Sequence, residues 1–192
     1  MDIKNLRRTI KHARTELVSA EIAHASELAA KKLCDNLLNS RFQNIAVYMA
    51  AFGEIDCLPI VRRAWLRKKR VFLPVLRKNS LLFAPYFSTT ALQPNRYAIL
   101  EPVHKSTELQ SAMHMDAMVI PLVAFDSNLN RVGMGAGYYD RCLRLRKIRR
   151  NWRRPRLIGL AYSFQQFDSL HAKSWDVPLD AVITEKESFG SI

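Results

Sequence analysis

The stretch Asp116-Ala-Met-Val-Ile-Pro-Leu-Val-Ala-Phe-Asp126 sets nine apolar residues, Ala117 to Phe125, between two aspartates. An apolar run without polar alternation reads as a strand buried on both faces, and Met118–Ala124 is the strongest such candidate in the chain. It falls far short of the roughly twenty residues that a membrane-spanning helix needs, so a soluble core is expected. Shorter runs repeat the pattern on both sides: Ile45-Ala-Val-Tyr-Met-Ala50, Arg70-Val-Phe-Leu-Pro-Val75, Leu81-Leu-Phe-Ala84, Leu157-Ile-Gly-Leu-Ala-Tyr162 and Ala181-Val-Ile-Thr184. Helical spacing fills the intervals. Leu6, Ile10, Ala13 and Leu17 form one stripe, and Ile22, Ala25, Leu28 or Ala29, Leu33 and Leu37 form a second, with Ser19 expected as the cap between them. Leu58, Val61, Trp65 and Leu66 mark a third helix, and Tyr139 through Arg149 a fourth with an arginine outer face. Buried strands alternating with helices predict an α/β fold whose mostly parallel sheet is covered on both faces. A single domain, 1–192, is expected, with a helical segment at about 3–39 packed on it.

Composition narrows the function. Forty-eight per cent of the 192 residues are hydrophobic and 24% charged, which is the balance of an ordinary globular chain. Cys34, Cys57 and Cys142 are widely spaced and form no CxxC, so neither a disulfide framework nor a structural zinc site is expected, and a reducing cytoplasm is the simplest location. The N-terminal sequence is basic without the apolar stretch of a signal peptide. Thirty basic residues against seventeen acidic give +13, but nine of the thirty lie between Arg141 and Arg156 with no acid among them, and the rest of the chain carries 21 against 17. The excess is one local patch, able to meet phosphates or nucleic acid or to serve as a solvated helix face.

Half of the six glycines fall within Arg131-Val-Gly-Met-Gly-Ala-Gly-Tyr-Tyr-Asp-Arg141. Glycines let backbone N–H groups approach an anion, and an arginine ahead of them adds a full charge. The spacing fits neither GxGxxG with its distant acid nor a Walker loop. Alone, such a loop is equally a tight turn between strand and helix.

The run 116–126, Arg131 and Gly-Met-Gly-Ala-Gly-Tyr-Tyr-Asp-Arg141 together resemble the signature of the 5-formyltetrahydrofolate cyclo-ligase (methenyltetrahydrofolate synthetase) family. Val47-Tyr48 with Gly53-Glu-Ile-Asp56, Ile99-Leu-Glu-Pro102, Leu157–Tyr162, Trp175-Asp-Val-Pro-Leu-Asp180 and Val182-Ile-Thr-Glu185 are similar to further family blocks, in order and over nearly the whole chain. The resemblance implies a three-layer α/β/α fold similar to sugar-phosphate isomerases and CoA transferases. It also implies ATP-dependent conversion of 5-formyltetrahydrofolate to 5,10-methenyltetrahydrofolate, with ATP and Mg2+ as cofactors.

Carried over residue by residue, it assigns ATP to Lys4, Arg8, Arg131, Gly133, Met134, Gly135, Ala136, Gly137, Tyr138 and Tyr139. Leu6-Arg7-Arg8 permits a one-residue shift in the N-terminal pair. Folate falls to Met49, Glu54, Met134 and Tyr138, the metal to Asp140 and Asp176, and the chemistry to Arg131, Tyr138 and Asp140. Met134 and Ala136 stand where many relatives carry Arg or Lys, and Trp175 where a His is common. The expected partner is a folate, with one or several glutamates, and neither a membrane nor a specific nucleic acid; the chain is expected to be a monomer. The rival readings are a basic nucleic-acid-binding protein and a sugar-phosphate isomerase-like enzyme. His12, His24, His104, His114 and His171 suggest no catalytic base.

Overall fold

The computed structural model describes residues 2–148, 154–170 and 176–191. The elements in chain order are α1 (Ile3–Thr15), α2 (Ser19–Leu37), β1 (Asn44–Ala46), α3 (Leu58–Leu66), β2 (Arg70–Arg77), β3 (Ser80–Pro85), β4 (Leu92–Pro94) and β5 (Leu100–Pro102). They continue as β6 (Ala117–Pro121), β7 (Ala124–Asp126), β8 (Arg131–Val132), α4 (Tyr138–Cys142), α5 (Arg144–Ile148), β9 (Arg156–Leu160), β10 (Gln166–Phe167), β11 (Ala181–Ile183) and β12 (Ser188–Gly190).

Seven strands form the main sheet in the order β12-β11-β9-β6-β1-β2-β3. The five central strands are parallel, and the antiparallel pairs β11–β12 and β2–β3 close the edges. Strand alternation sends Val119, Ile158, Leu160 and Ile183 to one face, where α2 and α3 cover them. Met118, Ile120, Leu157 and Val182 point to the other face, against Leu143 and the segment before β6. The result is the three-layer arrangement expected of continuous apolar strands.

The apolar run is divided where Pro121 interrupts it. β6 ends there, and the chain joins a separate sheet, β10-β7-β8, through Ala124–Asp126. The carbonyls at the break are met by buried side chains: Gln165 Nε2 donates to those of Leu122 and Val123 at 2.9 and 2.8 Å, and Arg14 also donates to Leu122. Leu6 and Ile10 of α1 pack on this small sheet, against Val123, Ala124 and Val132.

The two aspartates of the opening stretch are structural fasteners. Asp116 accepts from the amides of Gln43 and Asn44, and Asp126, fully buried, from those of Asn128, Asn130 and Leu170. Three boundaries differ from the sequence reading. α2 starts at Ser19 with Val18 as its cap, whose amide donates to Glu21 at 2.9 Å. β1 leaves the sheet after three residues, and Leu66 of α3 is exposed. The helix after the glycine loop breaks at Leu143, whose side chain is drawn fully into the core.

Candidate active site

A cleft of about 1070 Å³ opens at the carboxyl ends of the parallel strands, where α/β sheets commonly hold ligands. Tyr48 and Met49 enter it just past the end of β1, and Pro121 enters at the end of β6. Pro74 of β2, which has no N–H to offer a neighbour, lines it just beyond the β1 pairing, and Leu76 and Leu81 extend the apolar wall.

One end of the cleft is the glycine loop. Gly135 (φ +102°) and Gly137 (φ +67°) occupy left-handed backbone that side chains disfavour. The loop is shaped from outside by α1: Arg7 Nε donates to the Gly133 carbonyl at 2.9 Å, and a Cβ on Gly135 would stand 3.1 Å from the Arg7 guanidinium. Lys4 lines the cleft mouth, whereas Arg8 is exposed and does not line it. Arg7, the one-residue shift that the sequence permits, lines it together with Lys4. Met134 and Ala136 are both exposed and line the cleft; Tyr139 is partly buried and also lines it.

Arg131 has a defined local task. Its guanidinium, 5% exposed, pairs with Asp140 Oδ1 at 2.5 Å and also donates to the Val177 carbonyl. It thus joins α4 to the segment beginning at Asp176, and both acids line the same cleft. Among the described residues no group of three or more His, Cys, Asp or Glu could hold a metal. A two-carboxylate site still fits magnesium, which typically takes one or two carboxylates and completes its shell with phosphate oxygens and water. Trp175 and His171 lie outside the described residues, and no other histidine lines the cleft among the described ones.

The other end centres on Glu54, 10% exposed at its side chain. The Ala51 amide donates to Oε2 at 3.2 Å, and Arg14 Nη1 lies 3.5 Å from Oε1. Burial raises the carboxyl pKa, while Arg14 and then the Ala51 amide oppose that rise. The hairpin β4–β5 reaches over from a third side. At its tip, Asn95 Oδ1 accepts from the amides of Tyr97 and Ile99, and Arg96 donates to the Tyr138 hydroxyl. Tyr97 and Tyr138 hydroxyls lie 3.2 Å apart, and Arg141 covers the Tyr138 ring at 5.0 Å. The hydrogen bond with Tyr97, then that from Arg96 and the charges of Arg96 and Arg141, hold the Tyr138 phenol below its ordinary range.

The sequence reading left Arg7 open as a one-residue shift and did not single out Arg14, Arg96 or Tyr97. Arg14 did leave a signal: it continues the buried stripe Leu6, Ile10, Arg14 of α1, where an apolar residue is the default.

The basic patch is partly spent on the protein itself. Arg146 and Arg156 lie 2.6 and 3.6 Å from Asp180, and Arg154 lies 2.8 Å from Asp116. Arg141 and Arg144 face the cleft. Arg149, Arg150, Arg153 and the Lys147 side chain lie outside what the structure describes.

A mostly parallel sheet thus presents, in one cleft, a glycine loop with two acids and an apolar wall bearing Glu54. Comparison with known proteins makes the class specific. The pattern of the 5-formyltetrahydrofolate cyclo-ligase family matches residues 2–185. A Haemophilus influenzae 5-formyltetrahydrofolate cyclo-ligase is 36% identical, over 92% of this chain and 94% of its own. The Mycoplasma pneumoniae counterpart is 29% identical, over 97% of this chain and its own full length. The Aquifex aeolicus 5,10-methenyltetrahydrofolate synthetase structure superposes with a TM-score of 0.83 at 31% identity, covering 99% of this chain and 93% of that one. The chain belongs to the 5-formyltetrahydrofolate cyclo-ligase family and is an enzyme of that family.

Proposed function

We propose that this cleft joins ATP and 5-formyltetrahydrofolate and yields 5,10-methenyltetrahydrofolate, ADP and phosphate. The observation that carries the reading is the single cleft with Arg131, Asp140, Asp176 and the glycine loop at one end and Met49 and Glu54 at the other. A formamide carbonyl is a poor electrophile and its oxygen a poor leaving group. Transfer of the γ-phosphoryl group to the formyl oxygen releases ADP and converts that oxygen into part of a phosphate. Attack of N10 on the formyl carbon then expels the phosphate, and the N10 proton leaves with it or to solvent. No covalent nucleophile from the protein is needed; positioning and charge stabilisation suffice.

In this reading Lys4 and Arg7, with the backbone of Gly133, Met134, Gly135, Ala136, Gly137, Tyr138 and Tyr139, hold the nucleotide phosphates. Arg131 fixes Asp140 and adds positive charge beside them. Asp140 and Asp176 would hold magnesium, which supplies neutralisation of phosphate charge when bound. Glu54 accepts hydrogen bonds from the pterin, Met49 and Met134 line its apolar surroundings, and Tyr138 sits where the two reactants meet. We further propose that the protein acts as a single-domain cytoplasmic monomer without a specific nucleic-acid partner. The ion pairs of Arg146, Arg154 and Arg156 support that last point.

The test is the absorbance of methenyltetrahydrofolate formed from 5-formyltetrahydrofolate, with and without Mg-ATP. ATP-dependent turnover is expected. A folded protein that gives none beside a working control enzyme refutes the reading.

A further inference from the structure

We infer that Arg14, near the C-terminal end of α1, is the positioning residue that keeps the Glu54 carboxylate charged and fixed in the cleft, so that α1 ties the folate end of the site to the phosphate loop. The inference rests on the reading of Glu54 as the folate contact. Three observations carry it. Arg14 is only 3% exposed, and its guanidinium lies against Glu54 Oε1 while donating to the Leu122 carbonyl at the end of the broken strand. Gly53, one residue before Glu54, sits directly on the Arg14 backbone, where a Cβ would be 2.6 Å from the carbonyl oxygen. The same helix carries Arg7, bonded to the glycine loop. Seven residues separate the two arginines, so one rigid helix spaces the two half-sites by about 10.5 Å along its axis.

The geometry gives Arg14 an electrostatic task. Arg14 from α1 contacts Glu54, and the ionisable groups near enough to feel its charge include Tyr48 after β1, Cys57 before α3, Tyr139 of α4 and Tyr162 after β9. The tyrosines and the cysteine are held neutral by burial, which raises each of their pKa values. Among the described residues Arg14 is the cation acting on Glu54. Without it, burial is opposed only by the weaker Ala51 amide bond, and the balance moves toward the protonated form. A protonated Glu54 offers one O–H donor and loses acceptor capacity, reversing its match to pterin N–H donors. Arg14 Nε is buried and has no hydrogen-bond partner among the described residues. A guanidinium placed for stability alone is ordinarily satisfied throughout.

The experiment compares wild type, Arg14→Met, Arg14→Lys and Glu54→Gln in the full-length enzyme between pH 6 and 9. At pH 7, Arg14→Met is expected to raise the folate KM roughly tenfold or more, while kcat and the ATP KM change less than about threefold. Its folate KM should recover as pH rises, because Glu54 then ionises without help; Arg14→Lys should restore most of the loss at pH 7. In 13C NMR, the Glu54 carboxyl resonance, assigned by its absence in Glu54→Gln, should titrate at higher pH in Arg14→Met than in wild type.

An unchanged folate KM, or one raised by the same factor at every pH with no shift in the carboxyl titration, overturns the inference. If Glu54→Gln alone leaves the folate KM unchanged, the substrate-contact reading fails instead, and the carboxyl titration still decides the role of Arg14. Should Arg14→Met not fold, Arg14→Met/Glu54→Gln is used. That double variant should fold and show the pH-independent folate KM of Glu54→Gln; if it too fails to fold, Arg14 acts independently of Glu54 and the inference is wrong.

Discussion

Gly53 and Gly133 offer a matched pair of glycine-to-alanine tests. Gly53 has φ +71°, and a Cβ there would meet the Arg14 carbonyl oxygen at 2.6 Å, its carbon at 3.0 Å and its Cβ at 3.0 Å. Left-handed backbone costs a non-glycine residue about 1–2 kcal/mol. The clash is with helix backbone, which cannot rotate away, and overpacking of this kind costs about 1–3 kcal/mol more. Gly53→Ala should therefore destabilise the protein by about 2–5 kcal/mol. At about 2–4 °C per kcal/mol for a chain of this size, the midpoint falls by about 4–20 °C. Gly133 has no atom within 4 Å of an added Cβ and no left-handed φ. Gly133→Ala should leave the midpoint within about 2 °C, or raise it slightly by restricting the unfolded chain. Thermal unfolding followed by circular dichroism measures both. Because the clash displaces the turn that carries Glu54, Gly53→Ala should also raise the folate KM more than the ATP KM. A Gly53→Ala midpoint within 2 °C of wild type, or an equal loss in Gly133→Ala, refutes the contact between this turn and α1.

Asp140→Asn should lower kcat by about a hundredfold or more if the carboxylate holds the metal, and near-normal kcat across a magnesium titration contradicts that role. Arg96→Ala, which removes a donor to Tyr138, should raise the folate KM roughly three- to tenfold while moving the thermal midpoint little, since the contact is exposed. Burial pushes the Cys34 thiol up to about 11 and Cys142 up to about 12, so both stay protonated at pH 8; a disulfide reagent should label native protein far more slowly than unfolded protein, and rapid native labelling contradicts this. If Arg141 and Arg144 at the cleft attract the anionic tail of polyglutamylated folates, triglutamate substrate should show a lower KM than monoglutamate at low salt; equal values exclude that role.

Much of the fold was legible because burial on both faces leaves a strong sequence trace. Runs such as Leu157–Tyr162 have no polar alternation to confuse them with half-exposed strands, and each coincides with a strand of the main sheet, all but Leu81–Ala84 of the edge strand β3 being interior. The failures share one cause. Apolarity marks burial but not the partner that does the burying. Leu122 and Val123 are as buried as Met118, yet their carbonyls are met by the side chains of Gln165 and Arg14, and the Val123 N–H turns to Val132 in the small sheet. Pro121 was the available signal, since proline cannot continue a hydrogen-bonded ladder on its N–H side. Likewise Leu143 breaks the expected long helix because the core claims its side chain, a demand that the local 3.6-residue period does not encode.

At the site, the glycine loop and its acid were visible as a local motif, whereas the arginines that shape them were not. Arg131 stands before the loop as a phosphate cation would, and its guanidinium is also held by Asp140 and the distant Val177 carbonyl, forty-six residues on. Such a long-range contact has no signature in spacing. The N-terminal pair shows the same limit at shorter range. Lys4 with Arg8, or Lys4 with Arg7, are equally good helical neighbours, at i+4 and i+3. What separates them is the buried stripe Leu6, Ile10, Arg14, which fixes how α1 is rotated against the small sheet. With that stripe inward, Arg7 is carried to the glycine loop and Arg8 to solvent. Counting Arg14 as part of the buried face, rather than as one more surface cation, sets that rotation from sequence alone and turns Arg7 toward the cleft.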